Sequence, residues 1–179
     1  MTNNRKEEMK KTLILGPYCG LTVELGNMLD KNNKTDKIEG LISAILSNCT
    51  FFIDESQIDH QATMLIERFK AQIADSNITF EEYLKQSGKD YATLFNQLRV
   101  IALEGMKKDL LITEIALREK ISVSEAEMIE KIKEFARIAG KPQEEMYLEL
   151  QKRGQVGTVF RELLWEKTID FLIENNNFR

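Results

Sequence analysis

The chain has 179 residues, 42% of them hydrophobic and 30% charged, with two prolines and a formal net charge of −4. That length supplies one domain or one extended helical body, and the slight acidic excess argues against a nucleic-acid binder, which shows a basic excess or patch. No stretch approaches the roughly 18–20 apolar residues of a membrane span, and MTNNRKEEMKK has no apolar signal core behind it, so a cytoplasmic location is expected.

Residues 1–11 are polar and charged and read as a frayed lead-in. Thr12 to Leu25, TLILGPYCGLTVEL, is rich in β-branched residues and broken by Gly-Pro and Cys-Gly, which predicts an extended segment with a turn. An isolated strand cannot satisfy its own backbone, so this one must lie on the helical body or pair with a partner. Gly26 to Lys34 is a polar connector, and Thr35 is placed to cap a short helix ending near Asn48 with Ile38, Leu41, Ile42, Ile45 and Leu46 on its apolar face. Phe51, Phe52 and Ile53 make an apolar link. Asp54 with Gln57 resembles a capping box, in which two side chains satisfy free N–H groups reciprocally. It opens a helix to about Asp75 striped by Ile58, Ala62, Leu65, Ile66, Phe69 and Ile73. Thr79 and Glu82 form another box, for a short helix stopped by Gly88.

The longest helical stretch runs from Asp90, a plausible N-cap, to Lys120. At 100° per residue Leu94, Leu98, Ile101, Gly105, Ile112 and Ala116 fall on one side, and Phe95, Leu103, Met106, Leu110 and Leu117 on a second. A helix with two apolar stripes must pack on two sides, so this one is expected to be the spine. Gly105 lies mid-stripe, which suggests a close helix crossing or a bend. Ser124 and Glu127 give the best capping box in the chain, flanked by Val123 and Met128 at hydrophobic-staple positions. The helix they open buries Met128, Ile132, Phe135 and Ala136; Gly140 ends it in the left-handed region, and Pro142 starts the next as its first residue. That next helix carries Met146, Tyr147, Leu148 and Leu150 and stops at Gly154. The last, about Val156 to Glu174, has Val156, Phe160, Leu163, Leu164 and Phe171 on one side and Trp165, Ile169 and Leu172 on the other.

Chemistry-bearing motifs are scarce. His60 is the single histidine and has neither an H-E-x-x-H neighbour nor Cys/His spacing, so it reads as a polar helix residue. Gly16 to Gly20 lacks the Gly-Lys-Ser/Thr of a phosphate loop and reads as a turn. Cys19 and Cys49 form no close metal or redox pair and are expected to be free thiols. No nucleophile–base pairing stands out, so no enzyme activity, cofactor or metal is expected. The seven Met and nine Phe are more informative. They are either core or, in an open helical arrangement, a concave surface whose flexible Met side chains accept many apolar clients.

From about Asp54 to Asn175 the chain resembles the C-terminal domain of trigger factor, the ribosome-associated bacterial chaperone. The segments that carry the resemblance are ITFEEYLKQSGKD, LFNQLRVIALEGMKKDLLITEIALREK, ISVSEAEMIEKIKEFARIAGKPQEEM and FRELLWEKTIDFLIEN. The resemblance implies an all-α fold, an elongated multi-helix body with projecting helical arms, related to SurA-like periplasmic chaperones. It also implies capture of unfolded or nascent polypeptides between the arms without ATP. LGPYCGLTVEL with KTDKIEGLISAILSNCTFF resembles the family's linker into the prolyl-isomerase domain, so residues 1–53 are assigned to lead-in and linker and 54–179 to the chaperone domain. There is no room for an isomerase domain of about 90–100 residues, and the G-F-R-x-G-x-x-P ribosome-binding signature is missing. Isomerase activity and ribosome docking are therefore not carried over. The helix–turn–helix around Gly140-Lys141-Pro142 matches an arm tip whose apolar residues face clients, which nominates Phe135, Met146, Tyr147 and Leu150. The competing expectation is a non-catalytic module that binds one partner, or a second copy as a homodimer, through the same faces.

Overall fold

The computed structural model describes residues 12–25, 33–74 and 78–179. The predicted lead-in and most of the polar connector lie outside them. Among the described residues the chain is all-α, with seven helices and four strands of two residues each. They run β1 (Leu13–Ile14), β2 (Thr22–Val23), α1 (Lys34–Ser47), β3 (Thr50–Phe51), α2 (Glu55–Ala74), α3 (Phe80–Ser87), α4 (Tyr91–Arg118), α5 (Glu125–Ala139), α6 (Gln143–Lys152), α7 (Val156–Glu174) and β4 (Asn177–Phe178).

Local chemistry sets the helix ends. Two of the three predicted boxes form completely: Thr79 with Glu82 opens α3, and Ser124 with Glu127 opens α5, while ahead of α2 the Gln57 side chain accepts from the Asp54 N–H at 3.3 Å. Asp90 accepts from the Thr93 N–H at 2.8 Å and opens α4. In α1 the cap is Asn33 rather than Thr35. Its side-chain oxygen accepts from the Thr35 N–H at 2.9 Å, which draws Lys34 into the helix. Pro142 is the N-cap of α6, one residue before the predicted position, because its ψ of 145° is extended.

Gly88 and Gly140 end α3 and α5 at φ of 65° and 64°, a region glycine enters without strain. The end of α4 makes the same turn with the wrong residue. Lys120 sits at φ 56° while the Ile121 N–H reaches back to the Ala116 carbonyl at 2.8 Å. Left-handed backbone costs an L-residue about 1–2 kcal/mol, and glycine gives part of that back through its freer unfolded chain. Lys120→Gly should therefore stabilise the protein by about 0.5–1 kcal/mol in chemical denaturation.

Two compact units divide the chain. The first comprises residues 12–14 and Cys49–Leu110, the second Leu15–Asn48 and Leu111–Arg179. In the first unit β1 pairs antiparallel with β3, Leu13 opposite Phe51, which gives the extended segment its partner. Ile58 and Ala62 of α2 meet Ala102 of α4, and Ile53, Leu65, Phe95, Leu98, Leu103 and Met106 pack around them. The Arg99 guanidinium holds α4 to α2 through Asp59 at 2.6 Å and through Glu55.

In the second unit the buried side chains are Leu41, Ile42 and Ile45 of α1, Leu111, Ile112, Ile115 and Ala116 of α4, and Ile169 and Leu172 of α7. They are joined by a smaller cluster of Ile132, Leu150 and Val159 from α5, α6 and α7. Thr168 is fully buried in α7, and its hydroxyl donates to the Leu164 carbonyl at 2.7 Å, so this hydroxyl is not stranded.

The double stripe on α4 is only partly covered. Ile101 and Leu117, assigned to buried sides, are exposed, and Phe160 of α7 is exposed as well. Gly105 meets no close crossing: a Cβ placed there would find nothing within 4 Å. Cys19 and Cys49 are free thiols.

Candidate functional site

The helices α5 and α6 form a hairpin turned at Gly140, and the start of α7 packs against both. Between them lies a groove of about 590 Å³. Its floor and walls are Met128, Ile129 and Ile132 of α5, Tyr147 of α6 and Val156 of α7, and Glu125, Gln143 and Glu144 stand along it. The spacing explains the arrangement: Met128, Ile129 and Ile132 recur at helical intervals on one side of α5, as Gln143, Glu144 and Tyr147 do on α6. Volumes of several hundred Å³ with mainly apolar walls are the range of ligand and peptide sites.

Of the four residues nominated from the sequence, Tyr147 lines this groove and is 43% exposed. Met146 and Phe135 are half-buried and pack against the small core cluster, Phe135 with the Lys131 ammonium 5.7 Å from its ring centre. Leu150 lies within that cluster at 9% exposure, beneath the surface rather than on it. It faces inward because α6 presents Leu150 to Ile132 and Val159, while Tyr147 and Leu148 turn outward. Ile129 and Val156 complete the groove and are not among the nominated residues. Val156 stands on a predicted apolar side of the last helix, and the signal of Ile129 is only an apolar side chain beside the predicted stripe of α5.

Charge holds the hairpin to α7. The Lys131 Nζ, largely shielded, lies 3.0 Å from Glu166 and 3.4 Å from Glu162, and those carboxylates keep its ammonium protonated to higher pH than usual. The Lys167 Nζ donates to Glu127 at 2.5 Å and to the Ser122 carbonyl at 2.6 Å. Lys167 first, and then the Ser124 N–H and hydroxyl, hold the Glu127 carboxyl down at about 2. In the unfolded chain the same group titrates near 4.5. The folded form binds this proton less tightly, so the stabilisation is complete above pH 4.5 and disappears as pH falls towards 2. Glu127→Gln should lower the thermal midpoint at pH 7, and the gap to the parent should narrow steadily from pH 4.5 to pH 2 in a melting series.

The first unit carries an apolar groove of its own, about 570 Å³, lined by Leu65, Arg68, Phe69, Ala71 and Gln72 of α2 and by Leu98 and Ile101 of α4. Phe69 is fixed there by an edge contact with Tyr83 of α3 at 4.8 Å. His60 is exposed on α2. Among the described residues no cluster of three or more His, Cys, Asp or Glu could hold a metal ion, and no helix is long and apolar enough to cross a membrane.

Comparison with known proteins accounts for most of the chain. The family model of the bacterial trigger factor C-terminus matches residues 21–174. A trigger factor from Agathobacter rectalis is 25% identical over 170 residues, 95% of this chain and 35% of that protein. One from Geobacillus is 28% identical over 142 residues, 77% of this chain and 32% of its own length. The chain thus spans about a third of the length of the curated relatives it matches. Among solved structures, a trigger factor domain structure from Thermotoga maritima superposes with a TM-score of 0.65 at 16% identity, covering 90% of this chain and 93% of that one. The hypothetical Mycoplasma protein MPN555 superposes at 0.59 and 15% identity, covering all of this chain and 95% of that one. At such identities the superpositions speak to the fold alone.

Proposed function

The chain belongs to the bacterial trigger factor C-terminal family, and from that premise we propose that it captures unfolded or partly folded polypeptides on apolar surfaces, without ATP and without a catalytic step. The observation that carries this reading is the groove between α5 and α6. There Met128, Ile129, Tyr147 and Val156 offer apolar contact, and Glu125 and Glu144 mark its sides. Met is unbranched and polarizable, so it adapts to side chains of different shape, as a site for varied clients requires. The carboxylates favour apolar client segments flanked by basic residues.

Affinity follows from area. A client segment burying about 400 Å² of apolar surface gains about 10 kcal/mol at about 25 cal/mol per Å², and association and ordering costs of about 4–15 kcal/mol absorb most of that. One such contact is weak and releasable, which suits a binder that must let its client go. The groove of the first unit offers a weak apolar contact of the same kind.

The test is suppression of aggregation of a chemically denatured test protein, with molar mass followed by light scattering on the same sample. Suppression near stoichiometric ratios without nucleotide is expected. No suppression, with the protein running as a stable dimer, would mean that a second copy already covers these faces and would replace this reading with self-association.

A further inference from the structure

The segment 15–25 and the C-terminal residues meet in the second unit, far apart in sequence and bonded at nearly every step. The Gly20 N–H donates to the Asn175 carbonyl at 2.8 Å, the Asn177 N–H to Leu21 at 2.9 Å, the Arg179 N–H to Val23 at 3.0 Å and the Leu25 N–H to Arg179 at 3.0 Å. This is the parallel β2–β4 ladder, Thr22 opposite Asn177 and Val23 opposite Phe178. Asn176 does more than its neighbours. Its side chain is 8% exposed and uses both ends of the amide. Nδ2 donates to the Tyr18 carbonyl at 3.0 Å and to the Leu172 carbonyl at 2.7 Å, while Oδ1 accepts from the Leu21 N–H at 2.8 Å. One side chain thereby ties the last turn of α7 to two backbone positions of the segment.

We propose that residues 176–179 are a strap that fastens the segment 15–25 onto α1, with Asn176 as its catch, and that strap and segment open together while the helices beneath stay folded. Three features support local opening. Val23 is the single buried side chain between residues 15 and 25. A ladder of two residues per strand is marginal without added support. Segments with few buried contacts and exposed backbone bonds belong to the low-stability end of a protein. The seat itself is shaped for the segment. A Cβ on Gly40 of α1 would lie 2.5 Å from Leu25 Cδ2 and 3.4 Å from Val23 Cγ1, so the segment's side chains pack directly over the Gly40 backbone. Opening uncovers the face of α1 around Gly40, which the segment covers while the strap is on.

Hydrogen exchange of the full chain tests this directly. Asn176→Asp removes both amide donors and sets a carboxylate against the Tyr18 and Leu172 carbonyl oxygens. The amides of Gly20, Leu21 and Leu25 should then exchange at least about tenfold faster, with α1 and α7 amides and the helical circular dichroism unchanged. A chain ending at Asn175 should give the same pattern. Unchanged exchange of those three amides in both variants would overturn the proposal. So would equal acceleration of α1 and α7, since the tail would then be part of the helical core.

Discussion

Replacing Leu172 by Ala should destabilise the protein by about 2–5 kcal/mol, while the same replacement at Leu117 should change stability by less than about 0.5 kcal/mol. Both leucines sit in apolar stripes of long helices, and the sequence offers no reason to rank them. Leu172 is 0% exposed in the last turn of α7, among the side chains that close the core of the second unit; Leu117 is 71% exposed near the end of α4. Truncation at Leu172 removes methyl groups from a packed site and leaves a cavity that neighbours fill only in part. At Leu117 the removed groups already face water, and Ala is the better helix former by a few tenths of a kcal/mol. Denaturation followed by the fluorescence of Trp165, the single tryptophan and itself on α7, reads the second unit directly. Equal effects at the two positions would mean that Leu117 is covered in solution, and would favour a second copy on that face.

The contrast marks what a one-dimensional pattern can carry. Capping boxes and left-handed glycines are legible because the partners lie three to five residues apart: Ser124 finds Glu127 and Gly140 finds Arg137 whatever the rest of the chain does. The all-α class follows from the same local signals. Coverage does not, because whether Ile101 or Leu117 meets another helix depends on elements elsewhere in the chain. The site is legible to the same limited degree. Periodicity places Met146, Tyr147 and Leu150 on one short helix, but which way each faces is decided by Ile132 and Val159 on other helices. Asn176 was the least visible of all. Within Asn175-Asn176-Asn177 it resembles a polar tail, and its role depends on backbone atoms more than 150 positions away.

Client affinity should fall by about tenfold in Tyr147→Asp and by about a hundredfold when Ile129→Asp is added. Both side chains line the α5–α6 groove and both are exposed, so neither change empties the core. A side chain of this size contributes about 1.5–3 kcal/mol when a client covers it, and each 1.4 kcal/mol is a factor of ten. The new carboxylates add to Glu125 and Glu144 already there, so an apolar segment would meet charge it has to desolvate. The cost to the fold is small, since Asp in a helix interior loses about 0.7 kcal/mol relative to Ala. The control is Ile138→Asp, on the same helix α5 and still more exposed, but outside the groove. Titration of a fluorescently labelled, permanently unfolded polypeptide, followed by anisotropy, measures all three. If Ile138→Asp weakened binding as much as Tyr147→Asp, capture would rest on exposed apolar area in general and the groove would lose its special place. If Tyr147→Asp left binding intact, the client surface would lie elsewhere, with the α2–α4 groove around Phe69 and Ile101 the next to be tested in the same assay.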